Sequence, residues 1–266
     1  PENVAKKFQG MVKRCADSGF DLAAGLVEVV PTAHYLMGGV VVDVETRTSL
    51  AGLYVAGEDA GGAHGSNRLG GNGVANSTVY GGIAGDVMAA DAQKMGALHD
   101  PDETILDQEL ARAIIPFSAK PGNVQELRVR LMDAMWDDVG VMRDAAGLKR
   151  GIEKIASLKS DMENVGVSGD NLAFNLSWHD WLSLQSLIDT SEVIAKAGLS
   201  RENSRGAHFR EGFPDAGSLD DSYFTIATSG DKGIEVNREA VKFTIVKPGE
   251  SLLGADEAET LVEAAQ

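Results

Sequence analysis

Seventeen consecutive residues, from Gly57 to Gly73, contain seven glycines. No helix or strand interior tolerates such a run. Each glycine loses more backbone freedom on ordering than any other residue and brings no side chain to pack. The fold must therefore be arranged around a loop, with one ordered segment delivering the chain to Gly57 and another carrying it away after Gly73. The loop, Glu58-Asp59-Ala60-Gly61-Gly62-Ala63-His64-Gly65-Ser66-Asn67-Arg68-Leu69-Gly70-Gly71-Asn72-Gly73, sets histidine, arginine, asparagine and glutamate among those glycines. A second motif of the same character, Pro31-Thr32-Ala33-His34-Tyr35-Leu36-Met37-Gly38-Gly39, precedes it by about two dozen residues. Glycine lets a backbone approach a ligand closely, and His and Arg are the side chains that grip carboxylates and move protons. The region reads as half of an active site, with the remaining chain as its support.

The pattern on either side supplies that support. Val4, Phe8, Met11 and Val12 recur at helical spacing, which predicts a helix over 3–18 holding Cys15 as a small buried hydrophobe. Short apolar, β-branched runs at 26–30, 39–44 and 53–57 predict strands, the last one delivering Glu58 to its end. A helix follows from about Asn72 to Lys94, with Val74, Ala75, Val79, Ile83 and Val87 as its apolar stripe. From Asp100 to Leu199 the pattern is helical throughout. The stripes are Ile105–Ile114, Val124–Trp136, Met142–Met162 and Leu172–Ile194, broken at Pro116, at Pro121-Gly122 and at Gly166 and Gly169. One apolar face per helix and short connections suggest an antiparallel bundle, with Trp136, Trp178 and Trp181 in its core and His99, His179 and His208 in structural or surface positions. Residues 223–228, 234–236 and 241–246 read as short strands near a hairpin, and an acidic tail follows Pro248.

Composition narrows the function classes. With 24 basic and 40 acidic residues the net charge is −16, which argues against direct binding to nucleic acid or anionic lipid surfaces. A single cysteine cannot form an internal disulfide, a thiolate metal site or an iron–sulfur cluster ligand set, so no metal centre is expected. No apolar run reaches membrane-spanning length. A cytoplasmic location is expected, peripheral to a membrane at most through partner subunits.

His34 and Arg68, each placed after a predicted strand, can together hold a molecule with two carboxylates. Arginine binds one bidentately, and histidine donates to a carboxylate or carbonyl. Glu58 at the end of a strand stands where α/β proteins grip a ribose hydroxyl, and it also fits a solvated turn. Gly71-Asn72-Gly73-Val74-Ala75-Asn76 falls short of the G-x-G-x-x-G dinucleotide pattern, since its third position is Asn and the upstream loop is too long. It still opens a helix, whose first amides favour anionic or polar oxygen atoms.

The motifs carry a resemblance. Pro31-Thr32-Ala33-His34-Tyr35-x-Met37-Gly38-Gly39, Gly52-Leu53-Tyr54-Val55-Ala56-Gly57-Glu58 and His64-Gly65-Ser66-Asn67-Arg68-Leu69-Gly70-Gly71-Asn72 resemble the flavoprotein subunit of the succinate dehydrogenase/fumarate reductase family, which includes L-aspartate oxidase. Met135-Trp136-Asp137-Asp138-Val139-Gly140-Val141-Met142-Arg143 and Ser204-Arg205-Gly206-Ala207-His208-Phe209-Arg210 extend the likeness, which runs to about residue 226. The departures are Gly73-Val74 for the family's Ser-Leu, Asn203 for a Glu and Gly212 for an Asp.

The resemblance implies an α/β segment of an FAD-binding domain, followed by an α-helical bundle domain and a short β-containing C-terminal tail. The expected division is 1–25 as the end of a capping domain, 26–97 as the second FAD-domain segment, 98–205 as the helical domain and 206–266 as the tail. It also implies roles. His34 stands at the flavin and, with Arg68, contacts the two ends of a dicarboxylate, Glu58 holds the FAD ribose, Tyr35 lies along the flavin, and Asn72, Gly73 and Val74 meet it at the helix start. The expected activity is hydride transfer between flavin N5 and succinate or fumarate. It is completed by an N-terminal FAD-binding part or chain and served by an iron–sulfur electron-transfer subunit, so the isolated chain is expected to be inactive. L-aspartate oxidase or a related ene-reductase, and a non-catalytic fragment or assembly module, are the alternatives.

Overall fold

The computed structural model describes residues 1–30, 34–97, 100–231 and 233–251. They fall into two units that divide between Leu36 and Met37. In the first, the helical pattern is split into α1 (Glu2–Lys7) and α2 (Gln9–Asp17). The single expected helix breaks at Phe8, whose backbone (φ −122°, ψ 41°) leaves the helical region. Gly10 lies two residues on, and glycine is the weakest ordinary helix former, so this is where the helix yields. Cys15 is half-buried on α2 and not enclosed. The apolar run at 26–30 forms no strand, and Leu26 and Val29 are 97% and 84% exposed. A strand takes its hydrogen bonds from a neighbour, and no described segment pairs with this one. Pro31, Thr32 and Ala33 of the first motif lie outside the described residues.

The second unit opens with irregular backbone. The strands expected at 39–44 and 53–57 are reduced to two isolated bridges, Val40 with Ala60 in parallel and Arg47 with Tyr54 antiparallel. β-branched sequence favours extended backbone, but a sheet forms only where several such segments lie side by side. A 3-10 turn at Gly57–Asp59 enters the glycine loop, and α3 (Asn72–Met95) leaves it. Next come α4 (Glu103–Ile114), α5 (Val124–Val139), α6 (Ala145–Met162) and α7 (Leu176–Ser200). Caps set their starts: Asp102, Asn123, Asp144 and Asn175 each accept a hydrogen bond from one or two amides of the following turn.

α5, α6 and α7 form the bundle. Leu127, Leu131, Leu148, Ile155, Leu158, Trp181, Leu184 and Ile188 make one continuous core, with Leu148, Ile155 and Leu184 fully enclosed. Trp181 donates its indole N–H to the Val165 carbonyl at 2.9 Å. Trp178 is half-buried, packs edge-on against Phe117 and donates to the Ala113 carbonyl at 2.7 Å.

Two expectations about the bundle fail. Trp136 is 59% exposed, because the α5 face bearing it turns away from α6 and α7. The apolar stripe of α4 (Ile105, Leu106, Leu110, Ile114) also stays exposed, so α4 does not join the bundle core. A sequence stripe shows that a helix has a sticky face and not which neighbour covers it.

Beyond α7, β1 (Tyr223–Gly230) and β2 (Gly233–Ala240) pair antiparallel as a hairpin; the expected strand at 241–246 is absent. The hairpin docks on the end of α7. Arg201 and Arg238 approach the Tyr223 ring at 4.6 and 4.8 Å, and Arg238 donates to the Ser200 carbonyl. No helix among the described residues is long and apolar enough to cross a membrane.

Candidate active site

The glycine loop is shaped first by backbone crossings. The Val40 amide donates to the Asp59 carbonyl at 2.8 Å, and the Gly61 amide returns to the Val40 carbonyl at 2.9 Å. At this crossing a Cβ on Gly39 would overlap the backbone of Asp59 and Ala60, and one on Gly61 would come within 2.9 Å of the Gly39 carbonyl oxygen. Side chains are excluded there because two backbones touch.

Side chains then tie the loop to α3. Asn76, buried on the helix, donates through Nδ2 to the Gly57 carbonyl and to His64 Nε2, both at 3.1 Å. A carbonyl can only accept, so the Gly57 bond fixes which way the amide points. His64 Nε2 accepts from the same amide in the tautomer that carries its proton on Nδ1. One asparagine thus joins the loop's entry to its middle.

A second anchor comes from beyond the bundle. The Ala207 amide donates to the Ser66 carbonyl at 3.0 Å. Its turn, Arg205–His208, is closed by reciprocal backbone bonds of 2.9 Å. Arg205 donates to the carbonyls of Ala216 and Ser218 and to the Ser222 hydroxyl. His208 Nδ1 accepts from Arg143 Nη1 at 2.9 Å. Burial, with Arg143, Arg201 and Arg210 nearby, pulls the His208 pKa down to about 4, so the ring is neutral at physiological pH. Arg210 is buried and donates to the carbonyls of Gly198, Leu199 and Arg201 at the end of α7.

The loop's exit is open. Gly71 caps α3 in the left-handed conformation (φ 83°), and no side chain caps the helix. The Asn72 amide bonds to the Leu69 carbonyl at 3.1 Å, and the Val74 amide reaches the Gly71 carbonyl at 3.2 Å. A Cβ placed on Gly62, Gly65, Gly70 or Gly71 would meet nothing within 4 Å. This backbone faces free space, beside the positive end of a helix 24 residues long.

The expected site residues distribute as follows. Glu58 is exposed in the 3-10 turn, and Arg68 is half-buried between Asn67 and Leu69. Asn72, Gly73 and Val74 form the first turn of α3, so these five share one loop and its exit. His34 is exposed and Tyr35 half-buried, both at the end of the first unit.

Sequence reasoning missed Asn76, whose signal was a polar residue inside the apolar stripe of α3. It also missed the Arg47–Asp91–Tyr54 cluster. There Asp91 on α3 accepts from Tyr54 at 2.7 Å and from Arg47 at 3.0 Å, and both bonds hold its carboxyl below the usual range. The Arg205–His208 turn, far downstream in the chain, reaches the glycine loop through its bond to Ser66.

Residues 1–74 match the family described as FAD binding domain, and residues 128–252 that described as fumarate reductase flavoprotein C-term. A fumarate reductase (CoM/CoB) chain of Methanothermobacter marburgensis is 35% identical over 216 residues, covering 80% of this chain and 39% of the relative. L-aspartate oxidase 1 of Ralstonia nicotianae is 34% identical over 218 residues, covering 80% and 38%. Among solved structures, the FrdA chain of E. coli quinol fumarate reductase superposes with a TM-score of 0.83 at 26% identity, over 94% of this chain and 44% of that one. The chain spans about four-tenths of the length of the curated relatives it matches.

Proposed function

The chain belongs to the succinate dehydrogenase/fumarate reductase family of FAD-dependent flavoproteins, and from that premise we propose that it supplies one half of a dicarboxylate oxidoreductase site. The observation that carries this reading is the loop from Glu58 to Val74. Its one arginine is held between two anchored carbonyls, immediately before an uncapped helix start.

The open glycine backbone and the bare first turn of α3 fit the oxygen-rich edge of a flavin, which needs donors and close approach. Glu58, exposed at the loop entry, fits a ribose hydroxyl. When bound, FAD would supply the hydride-accepting and hydride-donating chemistry. Gly73 and Val74 replace the family's Ser-Leu, so this chain would contact the flavin there through backbone alone.

Arg68 would bind one carboxylate bidentately and hold the carbon chain of the substrate in line with the flavin. His34 would donate to the other carboxylate, and Tyr35 would lie along the flavin. The partition we assign is 26–97 to the FAD-binding segment and 98–205 to the helical domain. The remaining FAD-binding part, a proton-delivering group and an iron–sulfur electron-transfer subunit would come from outside these residues. The share of each relative that this chain covers, 39% and 38%, supports a further FAD-binding part.

L-aspartate oxidase is the second reading, favoured by relatives of that name at 34% and 32% identity. The test uses the complete flavoprotein, with flavin absorbance and turnover of succinate, fumarate and L-aspartate measured side by side. Flavin bands with succinate or fumarate turnover support the proposal, turnover of aspartate alone supports the second reading, and a protein without flavin overturns both. Arg68→Ala should abolish dicarboxylate turnover, by about 1,000-fold or more, while flavin stays bound. Parent-like kinetics in that variant would remove the role given to Arg68.

A further inference from the structure

We infer that the turn at Gly206–Ala207 is a positioning element for Arg68, through which the helical bundle sets the geometry of the dicarboxylate site. The inference rests on the functional reading of Arg68 given above. Arg68 lies between Ser66, whose carbonyl is held by the Ala207 amide at 3.0 Å, and Leu69, whose carbonyl is held by the Asn72 amide at 3.1 Å. Only Asn67 and Arg68 lie between these two points, which leaves the backbone little freedom, since each residue spans at most about 3.6 Å.

The turn that holds Ser66 is itself rigid. Its two backbone bonds close it, the three acceptors of Arg205 tie it to the segment Ala216–Ser222, and the bond from Arg143 to His208 ties it to the connection between α5 and α6. Ser204 Oγ donates to the Phe213 carbonyl at 2.8 Å and accepts from the Arg210 amide at 2.9 Å. Arg210 is anchored in turn on the last carbonyls of α7. A continuous chain of short contacts therefore runs from the ends of α5 and α7 to the residue two positions before Arg68.

Gly206 makes the contact possible. Its φ is +54°, and a Cβ there would overlap the Ser66 carbonyl group and come within 2.7 Å of Ser66 Oγ. Relieving that overlap requires a shift of about 1 Å, because heavy atoms pack at about 3.5–4.0 Å. A misplacement of about 1 Å at a substrate-positioning group can cost about 100-fold. Arg205 and His208 are thus assigned the task of holding a backbone turn, not of touching substrate.

The test is a double-mutant cycle in the complete flavoprotein. Its probe is malonate, a non-reacting dicarboxylate, read by perturbation of the flavin spectrum. Gly206→Ala should weaken malonate about 10- to 100-fold while flavin content and far-UV circular dichroism match the parent. In an Arg68→Ala background the same substitution should add less than about twofold, since the arginine it positions is gone.

If Gly206→Ala does not accumulate as folded flavoprotein, Gly206→Asn carries the test. Asparagine adopts the left-handed conformation locally, so the turn survives and only the overlap with Ser66 is introduced. Parent-like malonate affinity in the folded variant would overturn the inference and leave the functional reading standing. An equal loss with and without Arg68 would also overturn it, showing that the turn acts elsewhere. No malonate binding by the parent enzyme would overturn the functional reading and, with it, the inference.

Discussion

In the α5–α7 bundle, side chains hold the backbone in place; around the glycine loop, backbone holds backbone. The bundle buries leucine, isoleucine and tryptophan from three helices, and its stability grows with apolar area removed from water. The loop region has two isolated bridges, a buried asparagine amide and a borrowed contact from Ala207. Its apolar residues are widely exposed, among them Val41, Val44, Leu53 and Leu69. The difference teaches how the two parts divide the work. A bundle can be stable through many interchangeable contacts, whereas a loop built to leave room for a ligand depends on a few contacts that are not interchangeable. Substitutions should therefore behave oppositely in the two regions.

The largest expected effect lies in the bundle. Trp181→Ala should destabilise it by about 3–5 kcal/mol, since the ring is 3% exposed and leaves the Val165 carbonyl without its donor. Trp136→Ala, on the exposed face of α5, should change stability by no more than about 0.5 kcal/mol. Urea unfolding followed by far-UV circular dichroism separates the two, and equal losses would mean that the α5 face is covered in solution.

Next comes the loop crossing. Gly39→Ala should open the Val40–Asp59 and Gly61–Val40 bonds at a local cost of about 1–3 kcal/mol, leaving the bundle unchanged. Hydrogen exchange resolves this directly. The amides of Val40 and Gly61 should lose protection while those of α6 keep theirs, and a global loss would show that the loop crossing and the bundle open as one unit.

The smallest effect concerns pH. The His208 pKa is pulled down to about 4 in the folded protein, against about 6.5 when unfolded, so the unfolded state takes up its proton first as pH falls. The associated stability is present above pH ~6.5, is lost between about 6.5 and 4, and changes no further below. Partial exposure limits it to the order of 1 kcal/mol. His208→Gln keeps an acceptor for Arg143 and should remove that component of the slope. An identical pH profile in parent and variant would show that the imidazole is not buried against the arginines.

Much of this organisation could be read from residue order. Helix periodicity located α3 to α7 to within a few residues, and Asn123 was legible as a cap. Asp144 and Asn175 were legible in principle, yet the apolar stripes extended past them and hid the true starts. The short β-branched runs misled for a physical reason. Extended propensity is local, but pairing belongs to the neighbour, and only 223–230 and 233–240 found one as a continuous ladder. The loop's residue types announced a ligand site, yet nothing in their order revealed that Asn76 bridges Gly57 and His64. The likeness of the 204–210 loop to its family marked that loop without showing that it rests on Ser66.

By itself, then, the sequence determined which segments are helices, where the glycine loop lies, and which family its motifs resemble. These follow from i, i+4 spacing, backbone freedom and residue chemistry, all of which act over a few residues. Only the tertiary structure decided that α4 and Trp136 stay outside the core, that two expected strands shrink to single bridges, and that a turn far downstream in the chain abuts the loop carrying Arg68. Those outcomes depend on which surfaces meet. Contacts between segments far apart in the chain leave no periodic trace in either one.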